Sequence, residues 1–133
     1  LEDRITDPVL KKRARHVIFE NQRVVDGIDQ LKNRNLKAFG ETMVQSHLSL
    51  KNDYEVSCRE LDFLVEHAME TEGVLGSRLT GAGFGGCTIS LVKKDQLEKF
   101  KKNVGQKYTK ATGLIAEFYP AQISDGMRFL MEI

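Results

Sequence analysis

Residues 76–88, Gly76-Ser77-Arg78-Leu79-Thr80-Gly81-Ala82-Gly83-Phe84-Gly85-Gly86-Cys87-Thr88, hold five of the chain's 11 glycines. Val74–Leu79 and Cys87–Val92 flank the glycine run. Both are short and rich in strand-forming residues, and in the second Cys87, Ile89 and Leu91 alternate with Thr88 and Ser90. Two strands joined across a glycine loop are predicted. A tight hairpin needs one or two glycines, not five. A backbone so free of side chains suits close approach to a ligand or another loop, and its N–H groups can form an anion-holding nest. The competing reading is a flexible connection with no ligand.

Gly81, Gly83 and Gly86 match G-x-G-x-x-G. The dinucleotide form of that motif opens a helix, whereas a strand follows here, so that reading fails. A protein-kinase glycine loop does lie between strands, and Lys93 follows at a tolerable distance. No H-R-D or D-F-G accompanies it, and the chain is about half a kinase domain.

Upstream of the loop the pattern is helical. Asp7-Pro8 predicts a helix start, with Asp7 as cap and Pro8 at the first position, where it wastes no donor. Leu10, Ala14, Val17, Ile18, Val24, Val25, Ile28 and Leu31 then recur at helical spacing and predict the buried face. Arg13, Arg15, Glu20, Arg23 and Lys32 predict the wet face. Asn33-Arg34-Asn35 breaks this helix. A second places Leu36, Phe39, Met43, His47 and Leu48 on one side and ends near Asn52-Asp53. Ser57-Cys58-Arg59-Glu60 has the form of a capping box, with Val56 and Leu61 as its staple, and Gly73 is placed to close that third helix.

Downstream, Asp95 and Glu98 predict the cap of a fourth helix with Leu97, Phe100, Val104 and Tyr108 inward, ended by Gly113. Leu114–Tyr119 reads as a third strand and Gly126–Met131 as a fourth. The expected architecture over residues 1–133 is a single α+β domain: a small antiparallel sheet with helices on one face. Seven lysines between Lys93 and Lys110 stand against Asp95 and Glu98, a solvated helix face or a docking patch for an acidic partner.

Composition narrows the function classes. The chain has 133 residues, 41% hydrophobic, enough for one core. Its 20 Lys and Arg nearly cancel 19 Asp and Glu, which argues against a nucleic-acid binder relying on bulk charge. No apolar run approaches the roughly 18 residues of a membrane span. Cys58 and Cys87 lack zinc-ligand spacing and are expected as reduced thiols in a cytoplasmic protein. His16, His47 and His67 lie in helical stretches without paired-ligand spacing, so structural roles are expected and no metal site is assigned. Leu1 in place of Met carries the expectation of a piece of something longer.

The segment Gly76–Thr88 resembles the third motif of the GHMP small-molecule kinases in its galactokinase form. Two more stretches are similar to that family. One is Arg13-Ala14-Arg15-His16-Val17 with Glu20-Asn21-Gln22-Arg23-Val24. The other runs from Ser46-His47 to Leu50, then through Asp53-Tyr54-Glu55-Val56-Ser57-Cys58 to Glu60-Leu61-Asp62. The three stand in the family's order, and the likeness runs from about Pro8 to Tyr119. It implies the C-terminal, ferredoxin-like domain of a kinase that moves the γ-phosphate of MgATP to the C1 hydroxyl of D-galactose. It also implies an N-terminal partner domain supplying the sugar-binding segment, the phosphate loop and the catalytic Asp and Arg. No catalytic residue is therefore assigned here. Gly81, Gly83, Gly85 and Gly86 are expected beside the phosphate loop, with Arg78 and Thr80 as hydrogen-bond donors, and neither ATP nor Mg²⁺ is expected to bind tightly to this chain alone. The alternatives are a stand-alone α+β module binding a metabolite or partner subunit, and a GHMP kinase for a related sugar.

Overall fold

The structure, a computed structural model, describes residues 4–122. Helix α1 spans Pro8–Lys32, α2 Leu36–Ser49 and α3 Arg59–Met69. Strands β1 (Val74–Thr80) and β2 (Cys87–Val92) follow, then α4 over Leu97–Thr112. A π-helical turn, Leu50–Tyr54, extends α2, and a 3-10 turn, Lys94–Gln96, leads into α4.

Several local signals act as read. The Asp7 carboxylate accepts the N–H groups of Val9 (2.8 Å) and Leu10 (3.0 Å), and Pro8 opens α1. The Asn33-Arg34-Asn35 break does end α1, and Asn35, not singled out as a cap, caps α2 through the N–H of Ala38 at 3.1 Å. Gly113, at φ 74°, ends α4 by donating to the Thr109 carbonyl. Phe100, Val104 and Tyr108 are buried as expected. Phe100 and Val104 cluster with Ala68, joined by Leu64, Val74, Val92 and Phe118. A second cluster of Leu50, Val56, Leu61 and Leu79 sits under the glycine loop.

The sheet is an antiparallel pair in the register Ser77↔Ser90, Arg78↔Ile89, Leu79↔Thr88 and Thr80↔Cys87, with an irregularity between Val74 and Gly76. Ser77 and Leu79 share its covered face, each fully buried, while Cys87 and Ile89 lie exposed. Helix α2 lies against β1, and His47 Nδ1 accepts the N–H of Leu79, a strand group that β2 leaves free. An open strand edge is thereby covered. The helix comes very close: a Cβ on Gly40 would overlap the Leu75 carbonyl, and one on Gly76 would overlap the Gly40 backbone.

Several expectations are corrected. The buried face of α1 is not the one read: His16 and Gly27 are buried and Arg23 and Glu20 largely so, whereas Leu10, Val17, Ile18, Val24, Val25, Ile28 and Leu31 are exposed; of the residues read as wet, Arg15 and Lys32 are exposed. The Ser57 capping box does not form. The helix begins one residue later than the box requires: Cys58 occupies the cap position without a side-chain bond, and the Ser57 hydroxyl, outside it, donates to Asp62 Oδ1 at 2.5 Å. The α4 cap falls at Gln96 without a side-chain bond, Asp95 being taken into the 3-10 turn. Leu114–Tyr119 is not a strand: Leu114, Ile115 and Tyr119 are exposed, and Phe118 alone of its large residues folds back, edge-on to Phe100 at 5.9 Å. An apolar run becomes a strand only where a ladder partner takes its backbone groups, and among the described residues none does. Residues 126–131 lie outside the described residues.

On α2, Met43 and His47 are buried while Leu36 and Leu48 are exposed. The inward line runs instead through Gly40, Met43, Ser46, His47 and Leu50. Gly73, at φ 85°, serves the turn into β1 rather than the end of α3, which stops at Met69.

Candidate functional site: the glycine loop

Residues 81–86 link β1 to β2, and five of the six have positive φ: Gly81 (85°), Gly83 (84°), Phe84 (60°), Gly85 (127°) and Gly86 (98°). The glycines divide into two kinds. A Cβ on Gly83 would overlap the carbonyl oxygen of Val56, and the next residue, Phe84, donates its N–H to that oxygen at 2.7 Å. The loop is thus clamped at its middle to the segment that enters α3. Around Gly81, Gly85 and Gly86 a Cβ would meet nothing within 4 Å. These three need glycine for φ alone, and the space they leave is open to an outside group. Phe84 projects from the same stretch, 75% exposed.

Arg78 turns away from the loop. Its Nε donates to the Leu79 carbonyl at 3.0 Å and its Nη1 to Glu20 Oε1 at 3.3 Å, tying β1 to α1. Glu20 also accepts from the Ser46 hydroxyl (2.5 Å) and from Arg23 Nε (2.7 Å). Burial works against the Glu20 carboxylate, but the bonds from Ser46 and Arg23 outweigh it and hold its pKa below the usual range. Thr80 ends β1 opposite Cys87, exposed at the mouth of the loop.

Beneath the strand, a second polar chain fixes the loop's base. With Nδ1 of His47 accepting from Leu79, its proton sits on Nε2, 3.4 Å from Asp62 Oδ1. Burial lowers the His47 pKa against the pull of Asp62, so the ring stays neutral. Asp62 in turn holds Ser57 and the ammonium of Lys51, 2.8 Å away. His16 makes a parallel link, Nδ1 to Ser49 Oγ at 3.0 Å, with Ser49 donating to Asp53 at 3.0 Å. Structural roles for His16 and His47 agree with the sequence reading. The sequence offered no periodic signal for Glu20–Arg78 or Gly40–Gly76, since each pairs residues more than 30 positions apart.

The loop brings Gly81, Gly85 and Gly86 to an open surface, whereas Gly83 and Arg78 face inward to their own domain. Among the described residues no group of three or more His, Cys, Asp or Glu could hold a metal ion. Of the α4 lysines, Lys99 pairs with Glu72 and Lys107 with Glu70, both at 2.7 Å, and Lys101 pairs with Glu98 at 2.8 Å, so part of that face is neutralised within the chain. No described helix is long and apolar enough to cross a membrane.

A family model described as GHMP kinases C terminal matches residues 28–110. The chain is 50% identical over 128 residues to a galactokinase of Clostridium acetobutylicum, covering 96% of this chain and 33% of that protein. A galactokinase of Bacillus subtilis is 51% identical over 120 residues, covering 90% and 31%. The crystal structure of a Lactococcus lactis galactokinase complexed with galactose superposes with a TM-score of 0.89 at 51% identity, covering 93% of this chain and 32% of that one. The chain spans about a third of the length of the curated relatives it matches.

Proposed function

Because the chain belongs to the GHMP kinases, through their C-terminal domain, we propose that it is the C-terminal part of a galactokinase. That enzyme transfers the γ-phosphate of MgATP to the C1 hydroxyl of D-galactose in the cytoplasm. The observation that carries this reading is the match to galactokinases at about half identity over nearly the whole chain, the glycine loop included.

Phosphoryl transfer relies on positioning and on stabilising charge around the moving group. Among the described residues no group of three or more His, Cys, Asp or Glu could hold a metal ion, and no catalytic step is given to them. Their part is to shape one wall of a cleft whose other wall is the N-terminal domain. Gly81, Gly85 and Gly86 let the backbone of a phosphate loop come close, since no Cβ stands in the way. Gly83 and Phe84 hold this wall in place by gripping Val56. Arg78 and Thr80 keep a supporting place at the end of β1, Arg78 acting through Glu20. Free Cys58 and Cys87 suit a reducing compartment. A stand-alone module gives no reason for three uncovered glycines side by side with an exposed Phe84.

The test is Gly85→Ala in the longer polypeptide that contains this region. Galactose phosphorylation should fall more than tenfold while the domain's unfolding free energy changes by about 1–2 kcal/mol. Full activity in that variant would remove the loop from the cleft.

A further inference from the structure

Helix α1 has an apolar face that none of the other described residues covers. Leu10, Val17, Val24, Ile28 and Leu31 are between 47% and 60% exposed, and Val25 widens the face. At 100° per residue they and Ile18 span roughly 140° of the helix. Monomeric proteins seldom leave so continuous an apolar surface to water. Nor can α1 roll to bury it. The flank beside it is already engaged: Arg13 bonds the Asp53 carbonyl and Glu55, His16 bonds Ser49, and Glu20 bonds Ser46, Arg23 and Arg78. Rolling would leave those groups unpaired.

We propose that this apolar face is the principal surface on which the rest of the polypeptide docks. The occupant is the part of the protein that its relatives carry outside the third matched here. Two observations favour it over a second copy of the chain. A two-helix seam needs only a narrow stripe, whereas a face this broad meets a core built from more than one element. The fold, over 93% of this chain, is also kept within a molecule about three times as long. Helix α1 is then a two-sided strut: its apolar side holds the partner body, and Glu20 on its polar side holds Arg78 of the strand that leads into the glycine loop. The identity of the partner body rests on the galactokinase reading; the existence of the docking face does not.

The test uses the longer polypeptide with Val24→Cys, or with Gln22→Cys on the polar side of the same helix, each labelled with a maleimide and read by peptide mass spectrometry. Val24→Cys should label at least tenfold more slowly than Gln22→Cys, at every protein concentration. Equal rates would overturn the proposal, and protection that fades on dilution would overturn it in favour of a second copy. Galactose phosphorylation measured on the same samples separates the two claims. Active protein with rapid labelling removes only the docking face. Inactive protein with slow labelling removes only the galactokinase reading.

Discussion

Gly81 and Gly83 stand two residues apart with nearly the same φ, 85° and 84°, yet they serve different neighbours. Gly81→Ala meets open space and should cost about 1 kcal/mol of positive-φ strain in urea unfolding. Gly83→Ala drives a methyl group into the Val56 carbonyl and should cost about 3 kcal/mol as the loop leaves its seat. Equal costs would mean that the Val56 clamp does not hold the loop. Arg78 is a similar lesson in direction. A cation beside a glycine loop invites a phosphate contact, but this one is engaged by Glu20. A double-mutant cycle of Arg78→Met and Glu20→Gln should show a coupling of about 1 kcal/mol, reduced by partial exposure. The motif marked these residues in the sequence, but their partners lie far off in the chain, and only folding reveals them.

At the scale of elements, α2 carries the most strain-sensitive contact. Gly40→Ala has no room against the Leu75 carbonyl and should destabilise the domain by about 3 kcal/mol, seen as a lower urea midpoint with little change in slope. This helix and α1 together supply a pH dependence. Burial lowers the pKa of both His47 and His16 below the ordinary imidazole value, so the unfolded chain binds more protons than the folded one in that window. Their contribution is full above about pH 6.5 and is lost as the pH falls through their lowered folded values. The melting temperature should drop between pH 7 and pH 5.5, and His16→Gln with His47→Gln should flatten that slope. Helix starts and stops at Asp7, at the Asn33-Arg34-Asn35 break and at Gly113 were legible because a cap acts within one turn of chain. The Ser57 box does not form because α3 starts one residue later, with Cys58 at the cap, a shift too small for a four-residue pattern to fix.

For the whole molecule, periodicity found the apolar stripe of α1, which the described residues leave exposed. A repeat of 3–4 residues reports that a helix has a face to bury, not whether its own domain buries it. Leu114–Tyr119 was overread for a related reason, since a strand is made by its neighbour and not by its composition. The glycine loop stood out in the sequence because a tight turn needs one or two glycines, not five, and folding leaves Gly81, Gly85 and Gly86 uncovered by the described residues. The central claim is tested most directly by galactose-dependent consumption of ATP, measured on the longer polypeptide and on the 133-residue chain alone. The account predicts galactose 1-phosphate from the longer protein and none above background from the chain by itself. Turnover by the isolated chain, or a folded longer protein that leaves galactose unphosphorylated, would contradict it.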